Sequence, residues 1–315
     1  MLTSNKPLVS VLIPLYNAAP WIAETLNKIR QQTYPNIEVI IVDDHSTDHS
    51  YRIASEYAVD NVHLYVNPRK GGNAARNYAF EQSTGEYVKF MDADDLMEST
   101  MLERQLDRLF QEECPQKCIA FSKVSMLYPD GKESWPNYQH EYDYDPGIEL
   151  LVSIWRGEGF HCPHCHLMHR DLVIKAGGWD ETIIKNQDGE FFGRMYAVAQ
   201  KALYVGETHA IWRQTGIGVS TKMTTQAVAS VCKTHRILTK LILDYRGSRE
   251  MKRLCAKLIS LYLFDHYRLL GSELDVMKQF MRDNQLNFIV PCRRKAKWLS
   301  SLLGWEMAAR ILYSL

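Results

Sequence analysis

Four short runs of apolar, largely β-branched residues recur at nearly even spacing through the first ninety positions, and this repeat narrows the fold more than any other feature. Val9-Ser10-Val11-Leu12-Ile13-Pro14 reads as a buried strand stopped by proline, and Glu38 to Val42, Val62 to Val66 and Glu86 to Met91 read as three more. Between the first two, Ala19 to Gln32 carries Trp21, Ile22, Leu26 and Ile29 on one helical stripe, with Pro20 suited to a first turn. A helix around His49 to Tyr57, capped by Ser46, Thr47 or Asp48, and another over Ala74 to Glu81 fill the remaining gaps. Strands alternating with helices in this way predict βαβ crossovers, hence an α/β fold with a mainly parallel sheet flanked by helices. Such sheets bind ligands beyond the carboxyl ends of their strands. Polar clusters stand at those ends: Asp43 and Asp44 after the second run, and Asp92, Asp94 and Asp95 after the fourth.

Beyond residue 100 a helix and a further strand are expected between Met101 and Ser125, then a turn at Pro129-Asp130-Gly131-Lys132. The aromatic stretch from Trp135 to Gly147 reads as a loop, and Leu172 to Ala176 as a short helix closed by Gly177-Gly178. Helical periodicity persists from Gln226 to Phe280, broken near Gly247 and Gly271. The expected division is a catalytic domain over residues 1–223 and a helical C-terminal region over 224–315. Seven cysteines without a dense framework point to a reducing compartment. No run approaches the length of a membrane span, and Leu8 to Tyr16 is too short and β-like for a signal peptide, so a cytoplasmic location is expected, free or at the inner face of a membrane. With 37 basic and 37 acidic residues there is no global field to gather nucleic acid, and a nucleic-acid partner is not expected.

Asp92-Ala93-Asp94-Asp95 gathers carboxylates where a buried strand stops. That is electrostatically costly unless a cation neutralises them. Hard divalent cations such as Mn²⁺ or Mg²⁺ take oxygen ligands and commonly bridge carboxylates to substrate phosphates. The bland alternative is a solvated acidic turn capping a helix that begins near Leu96.

The order of motifs adds to this reading. Val9 to Asn17, Gln32-Thr33-Tyr34-Pro35-Asn36-Ile37-Glu38 through Asp48, Gly72-Asn73-Ala74-Ala75-Arg76-Asn77, and Thr84-Gly85-Glu86 through Asp95 closely resemble the family 2 glycosyltransferases. Weaker resemblance runs through Gly177-Gly178-Trp179-Asp180-Glu181 to about Thr221. The resemblance implies a GT-A fold with a Rossmann-like sheet, a nucleotide-sugar donor, activated by UDP in the common case, and inversion at the anomeric carbon. It implies that Asp44 reads the base, that Asp92 contacts ribose or metal, and that Asp94 is the metal ligand, with Ala93 between them. Pro14, Tyr16 and Asn17 would flank the nucleotide, and Arg76 would lie near the pyrophosphate or hold the pocket. His45 departs from the pattern, standing where the family usually has Gly or Asn.

Inverting transfer needs a base for the acceptor hydroxyl. In Asn186-Gln187-Asp188-Gly189-Glu190-Phe191-Phe192, Asp188 matches the family's base and Gln187 replaces its usual Glu; Glu190 is the second candidate, with Phe191, Phe192 and Met195 expected to bury. Arg213, followed by Gly216-Ile217-Gly218-Val219-Ser220, is expected to face the diphosphate beside a donor-covering loop. His161-Cys162-Pro163-His164-Cys165-His166 lacks the second ligand pair of a structural zinc site, so it reads instead as acceptor-side wall, with His164 and Trp179 as the acceptor contacts. Near the C-terminus, Arg293, Arg294, Lys295 and Lys297 precede Trp298, Leu299, Leu302, Leu303, Trp305, Ile311 and Leu312, the pattern of an interfacial helix on anionic lipid. The function expected is sugar transfer to a saccharide or lipid-linked acceptor in polysaccharide or glycolipid synthesis. A nucleotidyltransferase would need a glycine-rich basic turn where Pro14-Leu15-Tyr16-Asn17 stands, and a purely binding relative would not need Asp92, Asp94 and Asp188 together.

Overall fold

The computed structural model describes residues 6–216 and 223–313. Its elements run β1 (Val9–Leu15), α1 (Ile22–Arg30), β2 (Ile37–Asp43), α2 (Ser50–Ser55), β3 (Val62–Val66), α3 (Gly72–Gln82), β4 (Tyr87–Phe90), β5 (Leu96–Met97), α4 (Met101–Leu109), β6 (Cys118–Leu127) and β7 (Glu133–Ser134). Then follow α5 (Ile148–Arg156), β8 (His166–His169), α6 (Arg170–Ala176), α7 (Gln187–Val198), β9 (Lys201–Arg213), α8 (Thr225–Tyr245), α9 (Arg249–Asp265), α10 (Glu273–Asp283), α11 (Arg294–Leu303) and α12 (Trp305–Leu312). Contacts divide the chain into two compact units, Met1–Glu181 with Phe191–Ile217, and Thr182–Glu190 with Gly218–Leu315.

In the first unit the sheet order is β3-β2-β1-β4-β8-β6-β9-β5, with β7 paired to β6. The four sequence repeats form its parallel half: β1 lies between β2 and β4, and β3 flanks β2, all in the same direction. Every residue of β2 and of β4 is buried, which is why those runs are mostly apolar rather than alternating, with Glu38 and Lys89 as buried charged exceptions within them. The other half joins antiparallel through β8 on β4 and β6 on β8, with β9 parallel to β6 and β5 antiparallel to β9. The sheet is therefore mixed. The parallel expectation holds for the part built by local crossovers and, in the other half, for the β6–β9 pair. The helix expected from Met101 starts there, and Leu96-Met97, where the bland alternative would begin a helix, forms β5 against Ile211 and Ala210 of β9.

α1 buries Ile22, Leu26 and Ile29 as the stripe requires, with Thr25 added. Gly85 admits no side chain, because a Cβ there would lie 2.3 Å from Ser10 Oγ and 2.9 Å from the Leu8 carbonyl. That close approach lets β4 enter beside β1.

In the second unit, Ser230 on α8 accepts the backbone N–H groups of Ile184 and Lys185 at 3.0 and 3.1 Å, which ties segment 182–190 to the helices. Arg236 of α8 pairs with Glu273 of α10 at 2.8 Å. Phe264, Ala296, Ala308 and Ala309 form a separate core, sealed by Phe288, Leu299, Trp305 and Leu312. The single interfacial helix expected after residue 293 is two, broken at Gly304, whose φ of +78° glycine tolerates best.

Candidate active site

β2 and β4 flank β1 and run in the same direction, so their carboxyl ends deliver Asp43-Asp44 and Asp92-Ala93-Asp94-Asp95 to one edge of the sheet, on either side of Pro14 to Asn17. The loops after β1 and β2 are stitched together there by side chains. The Asn17 N–H donates to Ser46 Oγ (3.1 Å), Ala18 N–H to Ser50 Oγ (2.7 Å) and Ala19 N–H to Asp48 Oδ2 (3.1 Å), while Asn17 Oδ1 accepts Thr47 N–H (2.8 Å). Asn17 holds a φ of +47° and His45 one of +62°, both in the left-handed region. His45 thus adopts the conformation for which Gly or Asn is the easier choice. Asp48 also accepts Ser50 N–H at 2.8 Å, so of the three capping candidates it is the one whose carboxylate serves the start of α2.

Asp44 is half-buried, and its carboxylate accepts Asn67 Nδ2 (2.7 Å) and Gly71 N–H (2.9 Å). Tyr16 presents a ring that is 54% exposed at the end of β1. A rigid acceptor and an open aromatic face at one strand edge suit a planar, hydrogen-bonding ligand group.

The carboxylates after β4 face different environments. Asp92 is ion-paired with Arg76 Nη2 at 2.6 Å. Arg76 is itself buried and lies 4.7 Å from the Trp179 ring, so it holds Asp92 from below. Burial and the neighbouring Asp92 push the Asp94 carboxyl up to about 6. Asp95 turns fully inward; burial with Asp92 and Asp94 beside it drives its carboxyl well above the usual range. Its Oδ1 accepts Arg213 N–H at 2.9 Å, and its Oδ2 lies 3.2 Å from His164 Nδ1. Arg213 Nε donates to the Asp94 carbonyl (2.8 Å) and Nη2 to Glu24 (2.7 Å). Thr25 Oγ1 reaches the carbonyls of Ala93 and Asp95, each at 3.0 Å. An all-oxygen donor set carrying more negative charge than its neighbours balance fits a hard divalent cation at Asp92 and Asp94.

Several expected roles change. His164, expected on an acceptor surface, is wholly buried against Asp95 and offers nothing to solvent. Trp179 is buried too, stacked on Phe191 at 4.0 Å beneath Arg76, with its backbone held by Asn77. Arg213 is committed to the Asp94 carbonyl and Glu24, so in this structure it braces the acidic turn. Of the loop after it, 217–222 lie outside the described residues. His161, Cys165 and His166 bring ligand atoms within 4.8 Å of one another. Their ring nitrogens are nonetheless engaged inside the protein. His161 contacts His140 (2.7 Å) and Tyr196 (2.7 Å), and His166 contacts Tyr196 (2.6 Å) and the Pro163 carbonyl (3.2 Å) while stacking on Phe192. These contacts tie the histidine rings into the core.

Asp188 and Glu190 belong to the other unit, in the first turn of α7. Asn186 precedes it with a φ of +58°, and its Oδ1 would lie 2.5 Å from a Cβ at Gly189, so glycine is required there. Glu190 is buried, whereas Asp188 is half-buried, which favours Asp188 of the two as the group within reach of a ligand. Phe191, Phe192 and Met195 are buried as expected.

Sequence reading missed Lys89 and the pairing of Asp95. Lys89 sits in a strand that is buried on both faces, a position where lysine must find partners; its Nζ donates to the His164 and His166 carbonyls, each at 2.8 Å.

Residues 10–177 match the profile described as Glycosyl transferase family 2. The chain is 40% identical over 217 residues to glycosyltransferase GlyG of Streptococcus pneumoniae serotype 4, covering 66% of this chain and 71% of GlyG. It is 35% identical over 220 residues to the uncharacterized glycosyltransferase EpsJ of Bacillus subtilis, covering 66% of this chain and 61% of EpsJ. It spans only 52% of TuaG of the same organism, so some relatives are considerably longer than the shared part. Among solved structures, residues 1–349 of S. aureus TarS in complex with UDP-GlcNAc superimpose with a TM-score of 0.68 at 18% identity, covering 98% of this chain and 92% of that one, which shows a shared fold.

Proposed function

Because this chain belongs to glycosyl transferase family 2, we propose that it moves a sugar, with inversion, from a nucleoside-diphosphate sugar to a hydroxyl of a saccharide or lipid-linked acceptor. The observation that carries the reading is the acidic turn at the end of β4, set across β1 from Asp44 and charged beyond what Arg76 balances. Asp44 and the Pro14–Asn17 loop hold the base and ribose. UDP is the first nucleotide to test, since TarS was crystallised with UDP-GlcNAc.

Asp92 and Asp94 hold a divalent cation, Mn²⁺ or Mg²⁺. When bound, the cation supplies Lewis-acid stabilisation of the departing diphosphate. Arg76 pairs with Asp92 and aims it, and Arg213 fixes the Asp94 backbone. Asp188 takes the proton from the acceptor hydroxyl as that oxygen bonds to the anomeric carbon and the bond to the phosphate oxygen breaks. Asp188 carries this role through the family motif and the half-exposed start of α7, with Glu190 as the alternative.

A panel of nucleotide sugars scored for Mn²⁺-dependent release of nucleoside diphosphate tests the reading. Asp94→Ala should abolish metal-dependent donor binding, measured by calorimetry. Asp188→Asn should leave donor binding intact and lower transfer by about 10²–10⁴. Transfer retained in Asp188→Asn removes the base assignment; no turnover with any donor and no nucleoside-diphosphate binding sinks the enzyme reading.

The membrane expectation also sharpens. Trp298, Leu302, Leu303, Met307 and Ile311 stand 43–63% exposed on α11 and α12, beside Arg294, Lys295 and Lys297. No helix among the described residues is long and apolar enough to cross a membrane. An apolar face bordered by cations suits the surface of an anionic bilayer, where a lipid-linked acceptor would be presented.

A further inference from the structure

The acidic turn has a partner that its motif does not contain. Behind Asp95, a 3₁₀ turn at Pro163–Cys165 places His164 with no solvent exposure, its Nδ1 3.2 Å from Asp95 Oδ2. That Nδ1 lies within ion-pair distance but off the line of a hydrogen bond, and among the described residues it has no hydrogen-bond partner. A buried ring nitrogen in that state is costly to leave unpaired, and Asp95 Oδ2 is the acceptor set against it. The other ring nitrogen, Nε2, faces Cys162 Sγ at 3.7 Å.

The backbone of the same turn is fixed from two sides. Lys89 of β4 donates to the His164 and His166 carbonyls, each at 2.8 Å, and Gln105 of α4 donates to the Cys165 carbonyl at 2.8 Å. His164 therefore closes a loop of contacts. β4 grips its backbone through Lys89, and five residues past the end of β4 Asp95 meets its ring. On the opposite side of Asp95, Arg213 N–H and Thr25 Oγ1 hold the Asp95 side chain and carbonyl at 2.9 and 3.0 Å. Asp95 cannot reach the cleft itself, being buried. What it controls is the path of the backbone between Asp92 and Leu96, and so the direction in which Asp94 points.

We propose that His164 is a positioning residue which, by anchoring Asp95, sets the geometry of the Asp92–Asp94 turn and hence its affinity for the divalent cation. This rests on the donor-site reading above. Groups that orient a metal ligand without touching the metal commonly matter about 10–100-fold in metal affinity. Asn in place of His puts an amide nitrogen close to where Nδ1 stands, facing Asp95. Gln extends past it, toward Cys162, where Nε2 stands. The two side chains are alike in polarity and differ in which neighbour they address.

The experiment is a Mn²⁺ titration of the full chain, followed by electron paramagnetic resonance of free Mn²⁺, with melting temperature recorded alongside. His164→Leu and His164→Gln should each weaken Mn²⁺ binding by about tenfold or more, whereas His164→Asn should stay within about threefold of the unsubstituted protein. Asp95→Asn combined with His164→Leu should bind no more weakly than the weaker single variant, since both remove one contact. Equal affinities for the Asn and Gln variants overturn the inference, as does unsubstituted affinity in a folded Leu variant. If the Leu variant does not fold, the Asn and Gln contrast decides alone. Asp94→Ala separates the two levels: Mn²⁺ binding that survives it, or no Mn²⁺ binding by the unsubstituted chain, removes the donor-site reading and this inference together. Loss in Asp94→Ala with no loss in His164→Gln removes only the inference.

Discussion

Glu38 carries a carboxylate into the protein interior at the start of β2, and fixed donors there take the place of water. Burial pushes its carboxyl up, but Ser10 Oγ, the Thr84 and Gly85 N–H groups and Thr84 Oγ1 outweigh that and hold it below the usual carboxylate range. A folded value below the unfolded one means stability that is present above the unfolded value and is lost as pH falls through the folded one. Glu38→Gln is expected to cost ~1.5–3 kcal/mol at neutral pH and to flatten the acid limb of the melting curve. An unchanged acid limb would show that the four donors are not what stabilises the ion. Asp94 has the opposite sign. Its folded value, about 6, lies above the ordinary 3.8, so without divalent cation the protein should lose stability as pH rises across that interval. Asp94→Asn should remove that slope, and saturating Mn²⁺ should remove it in the unsubstituted chain; a slope identical in Asp94→Asn would reject the assignment. At this scale the carboxylates were legible because a buried strand ends on them, a local fact. His164 and Trp179 were misjudged because whether a histidine or tryptophan faces solvent depends on Asp95, Phe191 and Arg76, which lie far away in sequence.

Elements were readable where their causes are local. β3 spans the residues expected of it, and α8, α9 and α10 break where Gly247 and Gly271 suggested. β5 was not, because two residues become a strand only by pairing with β9 more than a hundred positions later. The C-terminal stretch misled for another reason. Its leucines and tryptophans fit one continuous apolar face, and only the break at Gly304 sorts them into two sets. Trp305 stacks on Phe288 at 3.9 Å and seals the small core, while Trp298 stands 63% exposed. The two tryptophans should therefore behave differently in thermal melts. Trp305→Ala is expected to cost about 2–4 kcal/mol, and Trp298→Ala less than about 0.5 kcal/mol. Similar losses for both would mean that α11 is packed more closely than this arrangement allows.

For the molecule as a whole, the parallel half of the sheet follows from the βαβ rhythm, but the placement of β8, β6 and β9 does not, since strands paired at this separation in sequence leave no periodic trace. The grouping of 182–190 with the helices was equally hidden, resting on Ser230. These facts change how the membrane reading has to be tested. Deleting everything after residue 290 would remove Ala296, Ala308, Ala309 and Trp305 from the second core, so lost binding would report unfolding. Net charge is formally zero, and attraction to an anionic surface must come from the local cations at 293–297. Arg293 is drawn off by Asp265 at 2.7 Å, which leaves Arg294, Lys295 and Lys297 to meet the surface. Flotation on vesicles containing phosphatidylserine should thus fall as salt rises, while a salt-resistant part remains from the inserted apolar side chains. Trp298→Ser with Leu302→Ser should abolish that salt-resistant part without lowering the melting temperature, because both side chains are more than 60% exposed. Flotation unaffected by the pair, or equally strong on neutral vesicles, would assign the exposed face to something other than an anionic bilayer.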